Sequence, residues 1–327
     1  MTKPAILVAR RVFPEIVAKL QQHFDVTHNE ADAVWSSDEL IHQLQGKVGA
    51  LTTGSERMDA KVMQACPQLK IAANIAVGYN NFDVQAMTAA GVQGTNTPDV
   101  LTETTADFGF ALLMATARRM AESEHYLRAG LWKQWALDMF AGAEVHGSTL
   151  GILGMGRIGQ AIARRGALGF GMKVIYHNRS RLQPDLEAQC QASYVNKAEL
   201  LSQADHLILV LPYTPDNHHT IGEAEIAQMK PSATLTNIAR GGIVDDAALA
   251  RALKAKRIAA AGLDVFEGEP AVHPDLLTVS NVVLTPHIAS ATLKTRYKMA
   301  DLAADNVIAY LTHGKPLTPV NTPASPR

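Results

Sequence analysis

The chain has 327 residues, about two domains at ~150 residues each, and its 47% hydrophobic and 19% charged residues are those of a folded globular protein, not a disordered one. With 30 Lys+Arg against 31 Asp+Glu, the net charge of −1 excludes a bulk electrostatic grip on nucleic acid or on an anionic membrane. The two cysteines, Cys66 and Cys190, form no CxxC pair, which argues against a disulfide scaffold or a Cys-rich zinc site and for a reducing compartment.

The first element is the apolar run 5–9, cut off by Arg10 and Arg11. It is too short for a membrane span, which takes ~20 apolar residues, and it lacks the marks of a secretory signal. It reads as a buried strand of a cytoplasmic protein. Further strands are predicted at 49–53, 71–76, 150–153, 173–176, 207–211, 234–238, 262–265 and 282–284. Helical patterns at 14–24, 59–65, 158–168, 198–203 and 245–256 lie between most of them. Repeated strand–helix units predict an α/β fold with a mostly parallel sheet. Parallel strands are covered on both faces, which explains continuous apolar runs in place of alternation. One long helix is predicted over 103–129, between Pro98 and Gly130, and another over 293–311. The tail from Gly314 carries four prolines and reads as an irregular coat or a frayed end.

The segment Leu150-Gly-Ile-Leu-Gly154-Met-Gly156-Arg-Ile-Gly159 is strand, glycine turn, helix. Gly154 permits the turn, Gly156 lets the backbone approach a pyrophosphate, and Gly159 lets helix and strand pack closely. The helix N-terminus meets the phosphates with unbonded N–H groups and the positive end of its dipole. A dinucleotide site is therefore expected. A site for NAD normally ends the next strand in Asp or Glu, which binds the ribose hydroxyls. Here the strand ends near His177 with no acid, and Arg179 and Arg181 follow. A guanidinium can hold a 2′-phosphate that a carboxylate would repel, so NADP (as NADPH) is expected over NAD.

Three later strands end in reactive residues: Asn237-Ile-Ala-Arg240-Gly-Gly-Ile-Val-Asp245, Gly262-Leu-Asp264-Val-Phe-Glu267-Gly-Glu269-Pro270 and Thr285-Pro-His287-Ile-Ala-Ser290. Strand carboxyl ends face the ligand crevice of an open α/β sheet, so Arg240, Glu269 and His287 can converge there. Among 12 histidines, the pair His218-His219 invites a metal reading. Adjacent histidines lack i,i+4 helical geometry, and no Cys or carboxylate pattern accompanies them, so no metal site is expected.

These segments, with the earlier Asn74-Ile-Ala-Val77-Gly78-Tyr-Asn80-Asn-Phe-Asp-Val84, follow in the order and spacing of the D-isomer-specific 2-hydroxyacid dehydrogenases. The resemblance covers nearly the whole chain and is closest to the glyoxylate/hydroxypyruvate reductases, including the type that also reduces 2-ketogluconate. It implies a Rossmann cofactor domain at 99–291 and a flavodoxin-like substrate domain, discontinuous in sequence, at 1–98 with 292–327, the active site lying between them. It implies reduction of small 2-oxo acids to D-2-hydroxy acids by hydride transfer. Arg240 would bind the substrate carboxylate and polarise the carbonyl, His287 would protonate the carbonyl oxygen, and Glu269 would hold His287. Val77, Gly78 and Ser290 would also meet substrate. Asp264 would contact the nicotinamide side, and Met155, Arg157, Ile158, Ser180, Pro212, Ile238 and Ala289 would line the cofactor site. The helix 103–129 and the arm with Trp132, Trp135, Met139 and Phe140 resemble the family's homodimer interface.

Two residues depart from the family pattern: Ala289 stands where Gly is common, and Asn80 where Asp is frequent. Formate dehydrogenase-like sites use Gln at the position of Glu269, so Glu argues against that activity. Phosphonate oxidation, and a cofactor-sensing corepressor built on the same fold, are the alternatives.

Overall fold

The computed structural model describes residues 2–323 and 325–327. Among these, five strands form one sheet: β1 (Ala5–Val8), β2 (Asp25–His28), β3 (Gly49–Thr52), β4 (Ile71–Asn74) and β5 (Gln93–Thr95), in the order β2-β1-β3-β4-β5. Every pairing in it is parallel. That order is the flavodoxin-like one. Seven strands form a second sheet: β6 (Thr149–Leu153), β7 (Lys173–His177), β8 (Ala192–Tyr194), β9 (His206–Leu209), β10 (Thr234–Asn237), β11 (Ala260–Leu263) and β12 (Val282–Leu284). Their order is β12-β11-β10-β9-β6-β7-β8, again all parallel. Counted from β6, this is the Rossmann order with one strand added at the β11 edge. The second sheet belongs to a compact unit, Thr102–Ser290; the first belongs to a unit made of the residues on either side of that stretch.

Strand residues alternate between two cores in the Thr102–Ser290 unit. Leu153, Leu207, Leu209, Leu235 and Leu263 pack into one, and Leu150, Ile152, Val174, Tyr176 and Ile208 into the other. Both faces are thus covered, as the apolar runs require. In the other unit Leu7, Ala50 and Ala72 face one core while Ile6, Val8, Leu51 and Ile71 face the second.

Three strands lie outside the predicted set: β2, β5 and β8. Each is an edge strand with one neighbour, so it carries no fully buried apolar run. The predicted helix 103–129 is two helices, Thr102–Ala117 and Met120–Arg128. Arg119 breaks it with a left-handed backbone, φ +52°, and pairs with Glu122 through Nε and Nη2 at 2.8 and 2.9 Å. The tail is not frayed. Val320 N–H donates to Gly94 O at 3.0 Å, Asn321 Oδ1 accepts the Gly94 N–H at 2.7 Å, and the Arg327 guanidinium donates to Cys66 O at 2.9 Å. The tail lies along the open edge of β5 and blunts it.

Candidate active site

The second sheet changes direction between β6 and β9, and the glycine turn follows β6 at that point. Open α/β sheets bind ligands at such a switch. Gly154 has φ +102°, and a Cβ there would fall 2.7 Å from the backbone of Val210. Gly156 opens the helix Arg157–Arg164 and faces open space, room that a phosphate can occupy. Asn178, just past β7, accepts the Met155 N–H through Oδ1 at 2.6 Å and so pins the turn. These residues fit a dinucleotide. No role for Asn178 follows from its position in sequence, because its partner is 23 residues away.

Arg179 is exposed and makes no hydrogen bond or ion pair among the described residues. Arg181 differs: its Nε and Nη2 donate to Oε1 and Oε2 of Glu187 at 2.9 and 2.8 Å. Tyr176 OH donates to Glu187 at 2.7 Å and accepts the Leu182 N–H at 2.8 Å. Burial, followed by the Glu187 carboxylate, pushes the Tyr176 hydroxyl up to about 12. Arg181 therefore orders the loop after β7 while its side chain stays 65% exposed. Ser180 is exposed beside them; Ile238 is buried at the end of β10, and Pro212 O accepts from Asn217 Nδ2 at 2.6 Å.

The register of β10, β11 and β12 sets Asn237, Leu263 and Leu284 side by side, so the segments after them leave the sheet together. Asn237 Oδ1 accepts the Ala239 N–H at 3.0 Å and shapes the turn carrying Arg240, whose Nη1 donates to Ala239 O at 2.6 Å. Burial lowers the Arg240 pKa, and the charge of Glu269 opposes that shift. His287 Nδ1 lies 2.7 Å from Glu269 Oε2, while Glu269 Oε1 accepts the Phe266 N–H at 2.9 Å. Burial pushes the Glu269 carboxyl up. The hydrogen bond and charge of His287, the Phe266 N–H and the Arg240 charge outweigh it, and the pKa stands below the usual carboxylate value. An ionised Glu269 can only accept, so Nδ1 of His287 is the donor of this pair.

His287 has a left-handed backbone, φ +54°, uncommon for a residue with a side chain. The cause is Asp264. Its Oδ1 accepts the Thr285 hydroxyl at 2.7 Å and the Ile288 N–H at 2.8 Å, and its Oδ2 accepts the Ala289 N–H at 2.8 Å. Asp264 O also accepts the His287 N–H at 2.9 Å. Asp264 is fully buried, and burial holds its pKa above the ordinary value against those three bonds. Besides the nicotinamide contact that the resemblance implies, the carboxylate is a clamp on the His287 loop. Val77 and Gly78 belong to the other unit; their carbonyls accept from Asn96 Nδ2 at 2.7 Å and Asn74 Nδ2 at 3.1 Å. Ser290 is half-buried at the end of the His287 loop.

His218 and His219 gain a carboxylate the sequence does not announce, Glu267, 2.9 Å from His219 Nε2. The two rings stack with centroids 3.8 Å apart and planes 23° from parallel. His218 Nε2 lies 3.7 Å from Oε1 of the same carboxylate, and one ligand atom from each of the three residues lies within 4.8 Å of the others.

The family model described as the D-isomer specific 2-hydroxyacid dehydrogenase, NAD binding domain, matches residues 110–289. The chain is 46% identical over 323 residues to a glyoxylate reductase of Thermococcus onnurineus, covering 98% of this chain and 96% of that one. It is 44% identical to a glyoxylate reductase of Pyrococcus furiosus, with the same coverage. Its fold is similar to the crystal structure of an NADPH-dependent glyoxylate/hydroxypyruvate reductase from Sinorhizobium meliloti in complex with NADP and malonate, with TM-score 0.86, 36% identity, and 100% of this chain and 99% of that one covered. The chain belongs to the D-isomer-specific 2-hydroxyacid dehydrogenases, NAD(P)-dependent oxidoreductases that act on a CH–OH group.

Proposed function

We propose that the protein is an NADPH-dependent reductase of small 2-oxo acids, glyoxylate and hydroxypyruvate first and 2-keto-D-gluconate beside them, giving D-2-hydroxy acids. The 2.7 Å pairing of His287 with Glu269, beside Arg240, carries the reading. The nicotinamide, when bound, supplies the hydride. His287, its Nδ1–H committed to Glu269, gives a proton from Nε2 to the carbonyl oxygen when the ring is protonated. Glu269 stabilises that imidazolium by charge and hydrogen bond. Arg240 binds the substrate carboxylate and polarises the carbonyl, with a contact from Ser290.

The NADPH preference is supported by the unpartnered Arg179, by the lack of an acid after Tyr176, and by the NADPH dependence stated for the Sinorhizobium enzyme. Met155, Arg157, Ile158, Ser180, Pro212, Ile238 and Ala289 complete the proposed lining, with boundaries of the cofactor domain near residues 99 and 291. Two buried free cysteines support a cytoplasmic location. Among the described residues no helix is long and apolar enough to cross a membrane. The arm after Gly130 exposes Trp135 at 73% and Leu137 at 87%, which supports burial against a second copy.

Oxidation of NADPH with glyoxylate, hydroxypyruvate, 2-ketogluconate and pyruvate, and reduction of NADP⁺ with phosphite, tests the reading. Turnover of a 2-oxo acid that falls by about two to four orders of magnitude in His287→Ala supports it. Turnover of phosphite alone, or full activity in the folded variant, overturns it.

A further inference from the structure

The turn that presents Arg240 and the loop that presents Glu269 touch through their backbones. A Cβ on Gly241 would fall 1.7 Å from Phe266 O, so no side chain fits between them. A third segment ties the two together. His219 N–H donates to Gly242 O at 2.7 Å, Ile221 N–H donates to Ile243 O at 3.0 Å, and Asp245 N–H returns to Ile221 O at 3.0 Å. From this strip the His219 ring reaches across to Glu267, with Nε2 2.9 Å from Oε2. Glu267 is also held by its N–H, which donates to Asp246 Oδ2 at 3.0 Å, and its Oε1 lies 3.7 Å from His218 Nε2. His219 adopts φ +51° to make both contacts, a left-handed backbone that a residue with a side chain takes only when its surroundings insist. His218 stacks on the ring and restrains its rotation.

We propose that His219 is a positioning residue: by bonding the Arg240 turn with its backbone and the Glu269 loop with its ring, it fixes how far the guanidinium stands from the carboxylate. The proposal rests on the roles given above to Arg240, Glu269 and His287. The pair does not anchor the core. The side chains of His219 and Glu267 are 35% and 43% exposed, so their loss should disturb the spacing of the two loops more than the stability of the fold. A misplaced Arg240 weakens substrate binding, and a misplaced Glu269 slows proton transfer, since both depend on sub-ångström placement.

The test uses the full-length enzyme and four variants. His219→Gly keeps the N–H and relaxes the backbone while removing the ring; Glu267→Ala removes the partner; the double variant removes both; Glu267→Gln keeps an acceptor oxygen. Expected are a rise of about five- to tenfold in the glyoxylate KM and a fall in kcat for each single alanine or glycine variant, an unchanged NADPH KM and an unchanged melting midpoint. The double variant should be no worse than either single one, and Glu267→Gln should recover most of the loss. Additive losses, equal shifts in both Michaelis constants, or wild-type kinetics in His219→Gly overturn the clasp. Full activity in a parallel His287→Ala variant overturns the catalytic roles, and the clasp with them.

Discussion

Asp264 Oδ2 accepts the Ala289 N–H at 2.8 Å, and through that bond a residue with no exposed atom determines where His287 stands. The carboxylate spends both oxygens on three donors of one loop. In Asp264→Asn one of those oxygens becomes an NH₂ facing a donor. A buried donor left without an acceptor costs about 1–3 kcal/mol. The variant should melt lower and lose at least about tenfold in turnover, since His287 departs from its left-handed geometry. Paired melting and steady-state measurements check this; a variant with wild-type turnover would show that the loop holds its shape without the clamp.

The two arginines after β7 should behave differently. Arg179→Ala should raise the NADPH KM by about ten- to a hundredfold, as loss of a charge-assisted bond does, and leave the NADH KM nearly unchanged. Arg181→Ala breaks the pair with Glu187 and loosens the whole loop, so its effect should be smaller and similar for both cofactors. Kinetics with each cofactor decide; a larger NADPH-specific loss in Arg181→Ala would reverse the assignment.

His206 gives the fold a pH dependence. It is fully buried, its Nε2 donates to Glu144 O at 3.0 Å, and its Nδ1 takes the Thr234 hydroxyl at 2.8 Å. Burial lowers its pKa, with the Glu144 carbonyl and Asp205 opposing. The unfolded chain binds a proton below ~6.5 that the folded ring refuses. The stabilisation is therefore whole above that pH and is lost as pH falls toward the folded value. The melting midpoint should fall between ~pH 7 and ~pH 5, and His206→Asn, less stable at neutral pH, should show a shallower fall. Equal slopes would assign the acid sensitivity elsewhere.

Sedimentation at micromolar concentration should give about twice the 35.2 kDa chain mass. That expectation rests on the exposed Leu131, Trp132, Trp135 and Leu137. Replacing Trp135 and Leu137 by Ser should yield monomers; a fully active wild-type monomer would mean that the arm serves another partner.

The interior strands were legible because parallel strands buried on both faces are written as unbroken apolar runs. Asp25–His28, Gln93–Thr95 and Ala192–Tyr194 were not, since an edge strand owes its pairing to one neighbour and needs no such run. Arg240, Glu269 and His287 could be placed near strand ends because the chain alternates strand and helix. What Asp264 and Arg181 do was hidden, because both are defined by partners. The motif names Asp264 but not the three donors that occupy it, and Arg181 looks like Arg179 until Glu187 is seen beside it.

The tail along β5 has a consequence for synthesis. Asn321, which caps the Gly94 N–H, lies 227 positions after it. At ~5–20 residues per second, a ribosome needs on the order of 10–45 s to reach it. During that interval the sheet containing β5 stands with an open edge, while Thr102–Ser290 is translated and can close around its own cores. Nascent chains arrested after Ser290 should thus resist protease within that stretch and be cut before it, and the newborn protein is most vulnerable to pairing with its neighbours on a polysome along β5.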